Sequence, residues 1–242
     1  MWYLCGRQII HFCRKLLFLY NSKNSYLITF ARLLIMILGY INPYNMINED
    51  ILFSFGADLR TFDAEDIIFS EGDVPAFFFL IVEGKVKINN YNEAGKEFIQ
   101  GILLKGHSVG LSSLFLSKNY PVNAVAEIES EVIRLPKTHF FEILKKHPEV
   151  YSDIIPFLAE HMHYKFLMMQ SMAFHNPTDK LLTLMNYLKL YHEDKSQYSL
   201  QIPLTRQQLA SLTGLSVETV IRVIKNMEKT GVLKIQNRKI FY

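Results

Sequence analysis

The segment from Thr205 to Tyr242 constrains this chain most, because its local chemistry reads helix, tight turn, helix, then hairpin, in one order. Thr205 can cap a helix while Gln208, three residues on, reaches back to it in the capping-box pattern. Arg206 to Thr213 is then expected to be helical, with Leu209, Ala210 and Leu212 on one face. Gly214 and Leu215 make the turn that lets a second helix cross the first. Ser216 caps that second helix, and Val220, Val223, Ile224 and Met227 form its buried stripe. The opposite face carries Val217, Glu218, Ile221, Arg222 and Lys225. Gly231 ends the helix, and Val232 to Ile235, a Gln236-Asn237 turn and Arg238 to Tyr242 form a short basic hairpin.

Glu218 and Arg222 lie four residues apart, so a helix laid in the major groove points both at neighbouring base edges. Arg222 can read guanine bidentately and Glu218 can accept from cytosine. The same spacing alone describes an ordinary surface ion pair; the capping box, glycine turn and terminal hairpin around it favour DNA reading. Base contacts are therefore expected from Glu218, Arg222, Val217 and Ile221. Backbone contacts are expected from Thr205, Arg206, Ser216, Thr219, Lys225 and the hairpin's Lys234, Arg238 and Lys239.

The runs Leu204-Thr205-Arg206-Gln207-Gln208-Leu209-Ala210 and Thr213-Gly214-Leu215-Ser216-Val217-Glu218-Thr219-Val220-Ile221-Arg222 closely resemble the DNA-binding end of the Crp/Fnr transcription regulators. That resemblance implies a bacterial, cytoplasmic, homodimeric regulator in which Glu218 and Arg222 read the half-site. RNA polymerase is then an expected further partner. Val217 departs from the pattern, since many members carry Arg there.

Charge is unevenly placed. Residues 1–45 carry net +5, residues 46–174 net −7 and residues 175–242 net +5. A basic C-terminal piece behind an acidic middle suits a DNA reader tethered to a sensing domain. At 242 residues and 50% hydrophobic, the chain can bury two cores.

The middle, about Ile51 to Pro148, is rich in β-branched and aromatic runs broken by Gly and acidic turns, which predicts antiparallel β structure. Strands are expected at 67–69, 77–82, 86–91, 97–104, 124–128 and 131–135. The turn spacing suits a small closed roll. Glu71-Gly72-Asp73 and Phe79-Leu80-Ile81-Val82-Glu83-Gly84-Lys85-Val86 resemble the family's cyclic-nucleotide-binding β-roll. The expected fold is α+β: an N-terminal antiparallel β-roll of jelly-roll type, a long dimerisation helix and a C-terminal winged helix-turn-helix. The boundaries are an extension at 1–45, the roll at 46–150, the helix at 151–176 and the reading domain at 177–242.

In the resembled family, nucleotide binding needs a glycine-led turn, a Glu for the ribose and an Arg for the cyclic phosphate. Here Gly106, His107, Ser108, Gly110, Leu111 and Ser112 keep both glycines, but Leu111 stands at the Glu position and Pro121, before Val122, at the Arg position. Lys165 and Phe166 fall where the resemblance implies base-holding hydroxyls. Without the Arg, a charged phosphate loses several kcal/mol, roughly, of charge-assisted bonding, so tight cyclic AMP binding is not expected. The turn reads as a retained structural corner rather than a site for another anion, and the effector is left unassigned.

Other chemistries are narrowed by side-chain inventory. Cys5 and Cys13 are the only cysteines, too few for a four-thiolate iron–sulfur cluster, and no metal site is expected. His161 and His163 are two apart on a helix and face different ways. No nucleophile–base pair or phosphate loop stands out, so an enzyme is not expected.

A helix from about Ser152 to Ala173 places Ile155, Leu158, Met162, Met169 and Met172 at coiled-coil-like spacing, a candidate dimer seam interrupted by Lys165. Pro156 fits only in a first turn, which puts the start near Ser152 or Asp153. Asn176-Pro177 reads as a hinge before a further helix. Residues 27–41 form an apolar run of 15 broken by Arg32, short of the roughly 20 a membrane span needs. It reads as a chain start truly at Met46, an extra packed helix, or an anchor that would bring the protein to the membrane. The rival function is a small-molecule sensor acting through membrane or protein contact, with the C-terminal unit as an interaction module.

Overall fold

The computed structural model describes residues 47–174 and 176–242. The readings of residues 1–45, of a Met46 start and of both cysteines lie outside the described residues.

Two four-stranded antiparallel sheets make the roll. The strands are β1 (Asp58–Phe62), β2 (Ile67–Phe69), β3 (Phe77–Glu83), β4 (Lys85–Tyr91), β5 (Glu97–Leu104), β6 (Ser108–Val109), β7 (Asn123–Ala126) and β8 (Ser130–Pro136). One sheet runs β1-β8-β3-β6 and the other β2-β7-β4-β5. Phe69, Phe79, Ile81, Val86, Leu103 and Val132 fill the space between them. The other face of β3, through Phe78 and Leu80, packs on helices, so this strand is buried on both sides and reads as a continuous apolar run.

Those helices are α1 (Glu49–Ser54), α2 (Leu111–Leu116), α3 (Lys137–Lys146) and the start of α4 (Tyr151–Phe174). Phe140 of α3, wholly buried, stacks on Phe78 with ring centroids 4.5 Å apart. A 3-10 turn, Pro148–Val150, leads into α4. The helix therefore begins at Tyr151, one residue earlier than expected, and Pro156 falls in the second turn rather than the first. Its missing N–H leaves one intrahelical bond unmade near the helix start.

The reading domain contains α5 (Pro177–Leu190), α6 (Arg206–Thr213), α7 (Val217–Lys229) and the hairpin β9 (Lys234–Gln236) with β10 (Lys239–Phe241). The Asn176 side chain accepts from the N–H of Thr178 and Asp179 while Pro177 takes the first helical position, so the expected hinge residues form a helix cap. Leu181, Leu184, Met185, Leu209, Val220, Ile224, Met227 and Leu233 form the core.

Three differences from the sequence expectation are local. Strands β1 and β6 lie outside the strands expected from sequence, because β1 is exposed along its middle and β6 has two residues. Strand β7 ends at Ala126, leaving Ile128 in an exposed turn. The hairpin turn is Asn237-Arg238 rather than Gln236-Asn237, with both residues at positive φ as the two-residue hairpin turn requires. Among the described residues no helix is long and apolar enough to cross a membrane.

Candidate nucleic-acid interface

The α6–α7 unit is built by reciprocal caps. The Thr205 N–H donates to Gln208 Oε1 at 2.7 Å, and the Gln208 N–H donates to Thr205 Oγ1 at 3.1 Å. Gly214, at φ +68°, ends α6 in the left-handed region, and the Leu215 N–H closes the turn on the Ala210 carbonyl at 3.1 Å. The Ser216 hydroxyl then accepts from the Thr219 N–H at 3.2 Å and starts α7. Capping of this kind is worth about 1 kcal/mol per helix start and fixes the crossing of the two helices.

Helix α7 buries Val220, Val223, Ile224 and Met227 and exposes the opposite face. Glu218, Ile221, Arg222, Lys225, Asn226 and Lys229 line one open groove along it. The structure thus brings together Glu218, Ile221, Arg222 and Lys225 as the sequence suggested. It adds Asn226 and Lys229, four residues beyond Arg222 and Lys225, which helical spacing would have revealed. Val217 stands apart from this group: it packs partly against the reading domain's core, because the first turn of α7 leans on that core. The Glu218 carboxyl lies below the usual carboxylate range, held first by its own backbone N–H and then by the Ser216 hydroxyl. It is ionised at neutral pH and acts only as an acceptor.

The hairpin is pinned from both sides. Arg206 Nη1 donates to the Arg238 carbonyl at 2.6 Å, and the Ile235 N–H donates to Glu228 Oε1 at 3.1 Å. Lys234 Nζ lies 4.4 Å from the Tyr198 ring centroid. Arg238 and Lys239 remain exposed at the tip. Ser216 and Thr219 hydroxyls hydrogen-bond each other at 3.1 Å.

In the roll, the glycine turn leads into the short helix α2. Leu111, where the family pattern has an acid, is 3% exposed and belongs to the apolar core. Pro121 is exposed, and its carbonyl accepts from Asn90 Nδ2 at 2.9 Å. Val122 packs partly inside the roll, and Ser112 is exposed. Tyr120 stacks on Phe69 at 3.6 Å between centroids and lies directly over Gly110, where an added Cβ would come within 2.5 Å of its ring. Burial, with Asp73 nearby, pushes the Tyr120 hydroxyl up to about 12. The space against the second cassette glycine is thus filled by the chain's own aromatic rings.

His107 of the cassette meets His161 of α4, with centroids 5.8 Å apart, and Phe157 touches both rings. The pairing was hidden in the sequence, where the two residues are distant. Burial first, then the His161 charge, holds His107 down at about 4, and burial also lowers His161. Both are neutral in the folded protein at pH 7. Below pH 6.5 an unfolded imidazole takes up a proton that the folded one excludes, so stability falls as pH drops from 6.5 towards 4. The expected loss is about 1.4 kcal/mol per pH unit for each excluded proton. Urea unfolding at pH 7 and pH 5 checks this; a His107→Gln variant with an equally steep loss would contradict it. Among the described residues no group of three or more His, Cys, Asp or Glu side chains is placed to hold a metal ion.

On α4, Ile155, Met162, Phe166 and Met169 are 62%, 55%, 55% and 63% exposed and form one stripe. Three expected seam residues lie elsewhere. Leu158 packs partly on the roll core, Met172 on the reading domain's core, and Lys165 Nζ donates to Gln100 Oε1 at 2.9 Å. Phe166 joins the stripe instead. The reason is the helix's other contacts, which fix its rotation and which spacing alone does not reveal.

Comparison with known proteins agrees with this architecture. Residues 59–147 match the cyclic nucleotide-binding domain model and residues 180–241 the Crp-like helix-turn-helix domain model. The transcriptional activator protein anr of Pseudomonas aeruginosa is 23% identical over 177 residues, 72% of each chain. The cAMP-activated global transcriptional regulator Vfr of the same species is 25% identical over 184 residues, 74% of this chain and 86% of its own. Among solved structures, the c-di-GMP responsive global regulator CLP of Xanthomonas campestris shares the fold with a TM-score of 0.66 at 20% identity, over 80% of this chain and 98% of its own. FixK2 from Bradyrhizobium japonicum does so with a TM-score of 0.64 at 18% identity, over 76% and 91%.

A sensor-type roll joined through a long helix to a helix-turn-helix defines a transcription regulator with a DNA-binding domain, not an enzyme. The chain belongs to the Crp/Fnr family.

Proposed function

We propose that the protein acts as a homodimer on a pseudo-palindromic operator, with residues 46–150 as the roll, 151–176 as the dimerisation helix and 177–242 as the reading domain. The observation that carries this is the exposed face of α7, where Glu218, Ile221 and Arg222 share one groove with Lys225. Arg222 reads guanine and Glu218 cytosine, while Ile221 contacts a thymine methyl. Val217 contributes at most the edge of its side chain, since it leans on the core. Thr205, Arg206, Ser216, Thr219, Lys225, Lys234, Arg238 and Lys239 face the phosphates. Two such units on a two-fold axis meet half-sites roughly 34 Å apart. RNA polymerase is the downstream partner, as the family reading implies.

Cyclic AMP is not the effector in this proposal. Vfr is cAMP-activated and CLP is c-di-GMP responsive by their descriptions, so one fold serves different signals. By the family resemblance the acid and arginine positions of a cyclic-phosphate site are a core leucine and an exposed proline in this chain, and the stacked Tyr120 and Phe69 rings lie against Gly110 of the same turn. Two cysteines leave a four-thiolate cluster without its ligands. Affinity for a symmetric duplex is therefore expected to be the same with and without cyclic AMP, measured by fluorescence anisotropy. Tightening on adding the nucleotide would overturn this half of the proposal. The rival reading, a sensor acting through membrane or protein contact, has no observation in its favour among the described residues.

A further inference from the structure

The outer face of the β4–β5 ribbon is built unlike the solvent face of an antiparallel sheet. Along the ladder Val86 pairs with Leu103, Lys87 with Ile102 and Ile88 with Gly101; then Asn89 pairs with Ile99, so Gln100 is an extra residue. Such a bulge reverses the facing of every residue beyond it. Without it, Ile99 would follow Leu103 and Gly101 into the roll. With it, Ile99 points outward and shares its face with Ile102, Lys87 and Asn89.

That face is covered by the reading domain. Ile99 is 2% exposed and belongs to the reading domain's core, and Ile102 packs against the same core. Asn89 is fully buried, giving its amide N–H to Glu97, whose carboxylate also meets Lys87 Nζ at 3.1 Å. Helix α6 lies against β5, and its residues Leu209 to Thr213 are buried on every side. At the edge of the contact, Gln208 does two things at once. Its carbonyl oxygen completes the α6 capping box, and its amide N–H donates to Glu127 Oε1 in the β7–β8 turn.

We propose that the outer face of β4 and β5, together with Glu127, is a docking platform for α6 of the same chain that holds the reading domain in its DNA-competent orientation. This rests on the DNA-reading proposal. The docked arrangement leaves both working surfaces open: Ile221 on α7 and the Ile155–Met169 stripe on α4 are exposed. A reader that swung freely would spend only part of its time correctly oriented, and its apparent affinity would fall by that fraction. Docking removes that loss. Glu127 and Ile102 act as positioning residues, distant from any base contact.

The test uses the full chain and its Glu127→Ala, Glu127→Gln and Ile102→Ser variants. Amide hydrogen exchange is followed over Leu209–Thr213, and affinity is measured for an enriched symmetric duplex and for random-sequence DNA. Glu127→Ala and Ile102→Ser are expected to speed exchange in α6. They should weaken specific binding about 3- to 30-fold while leaving random-sequence binding within about twofold. Glu127→Gln, which keeps the acceptor oxygen, is expected to restore wild-type behaviour. Unchanged exchange in Glu127→Ala and Ile102→Ser would show that the contact does not hold α6. Faster exchange with unchanged or tighter specific binding would show that docking does not orient the reader; either result overturns the proposal. A wild-type chain that enriches no duplex fails the DNA-reading proposal itself, and that is seen before any variant is made.

Discussion

Replacing Met162 and Met169 together by glutamate is expected to make the protein monomeric and to weaken its binding to a two-fold symmetric duplex on the order of a thousandfold. Ile155, Met162, Phe166 and Met169 follow one another at spacings of seven, four and three residues, the repeat of a two-helix seam. Each is half or more exposed in the single chain. Covering such a side chain gains roughly 1 kcal/mol, so two stripes of four supply on the order of 8 kcal/mol before the cost of association. Glutamate at 162 and 169 removes half of that gain and sets like charges opposite one another across the axis. A monomer then reads one half-site and loses the second set of contacts. Sedimentation velocity reads the mass directly, and a double variant that sediments as a dimer would contradict the seam. Neither methionine belongs to a buried cluster of its own chain, so the fold itself is expected to survive the change.

Arg222→Ala is expected to cost about 1 to 3 kcal/mol per half-site, hence about 2 to 6 kcal/mol for the dimer, and to flatten base preference at the contacted position. Arg222 is exposed on α7 and lines the same open face as Glu218, so its guanidinium is available to a base. Alanine is a good helix former and leaves α7 intact. The discriminating readout is therefore the difference between specific and random DNA: a base reader loses the first and keeps most of the second. Equal losses on both would reassign Arg222 to the phosphate backbone.

The reading domain was legible because its signals are local. Thr205 with Gln208, Gly214, and Ser216 with Thr219 each act within a few residues, and the caps formed where those residues stand. The roll's longer strands were legible for a similar reason, since their apolar runs end at glycine and acidic turns. What sequence could not supply is the identity of the surface each face meets. On α4 the difference between Lys165 and Phe166 is one residue, about 100° of rotation, and it is set by the burial of Ile154, Phe157 and Met168 on the packed face, which leaves Lys165 in reach of Gln100. Val217 falls on the reading face by spacing, and the core beneath the first turn of α7 draws it partly inward. The outward turn of Ile99 depends on a single bulge, and the meeting of His107 with His161 on the packing of α4 against the roll. Neither leaves a trace in periodicity.

Whether the protein reads two-fold symmetric DNA without a cyclic nucleotide is answered by selecting bound duplexes from a random library with the full chain and no added effector. Enrichment of a pseudo-palindrome carrying a G·C pair at equivalent positions of half-sites about one helical turn apart is expected. Enrichment of no sequence without a nucleotide, and of a symmetric site once cyclic AMP is added, would contradict it.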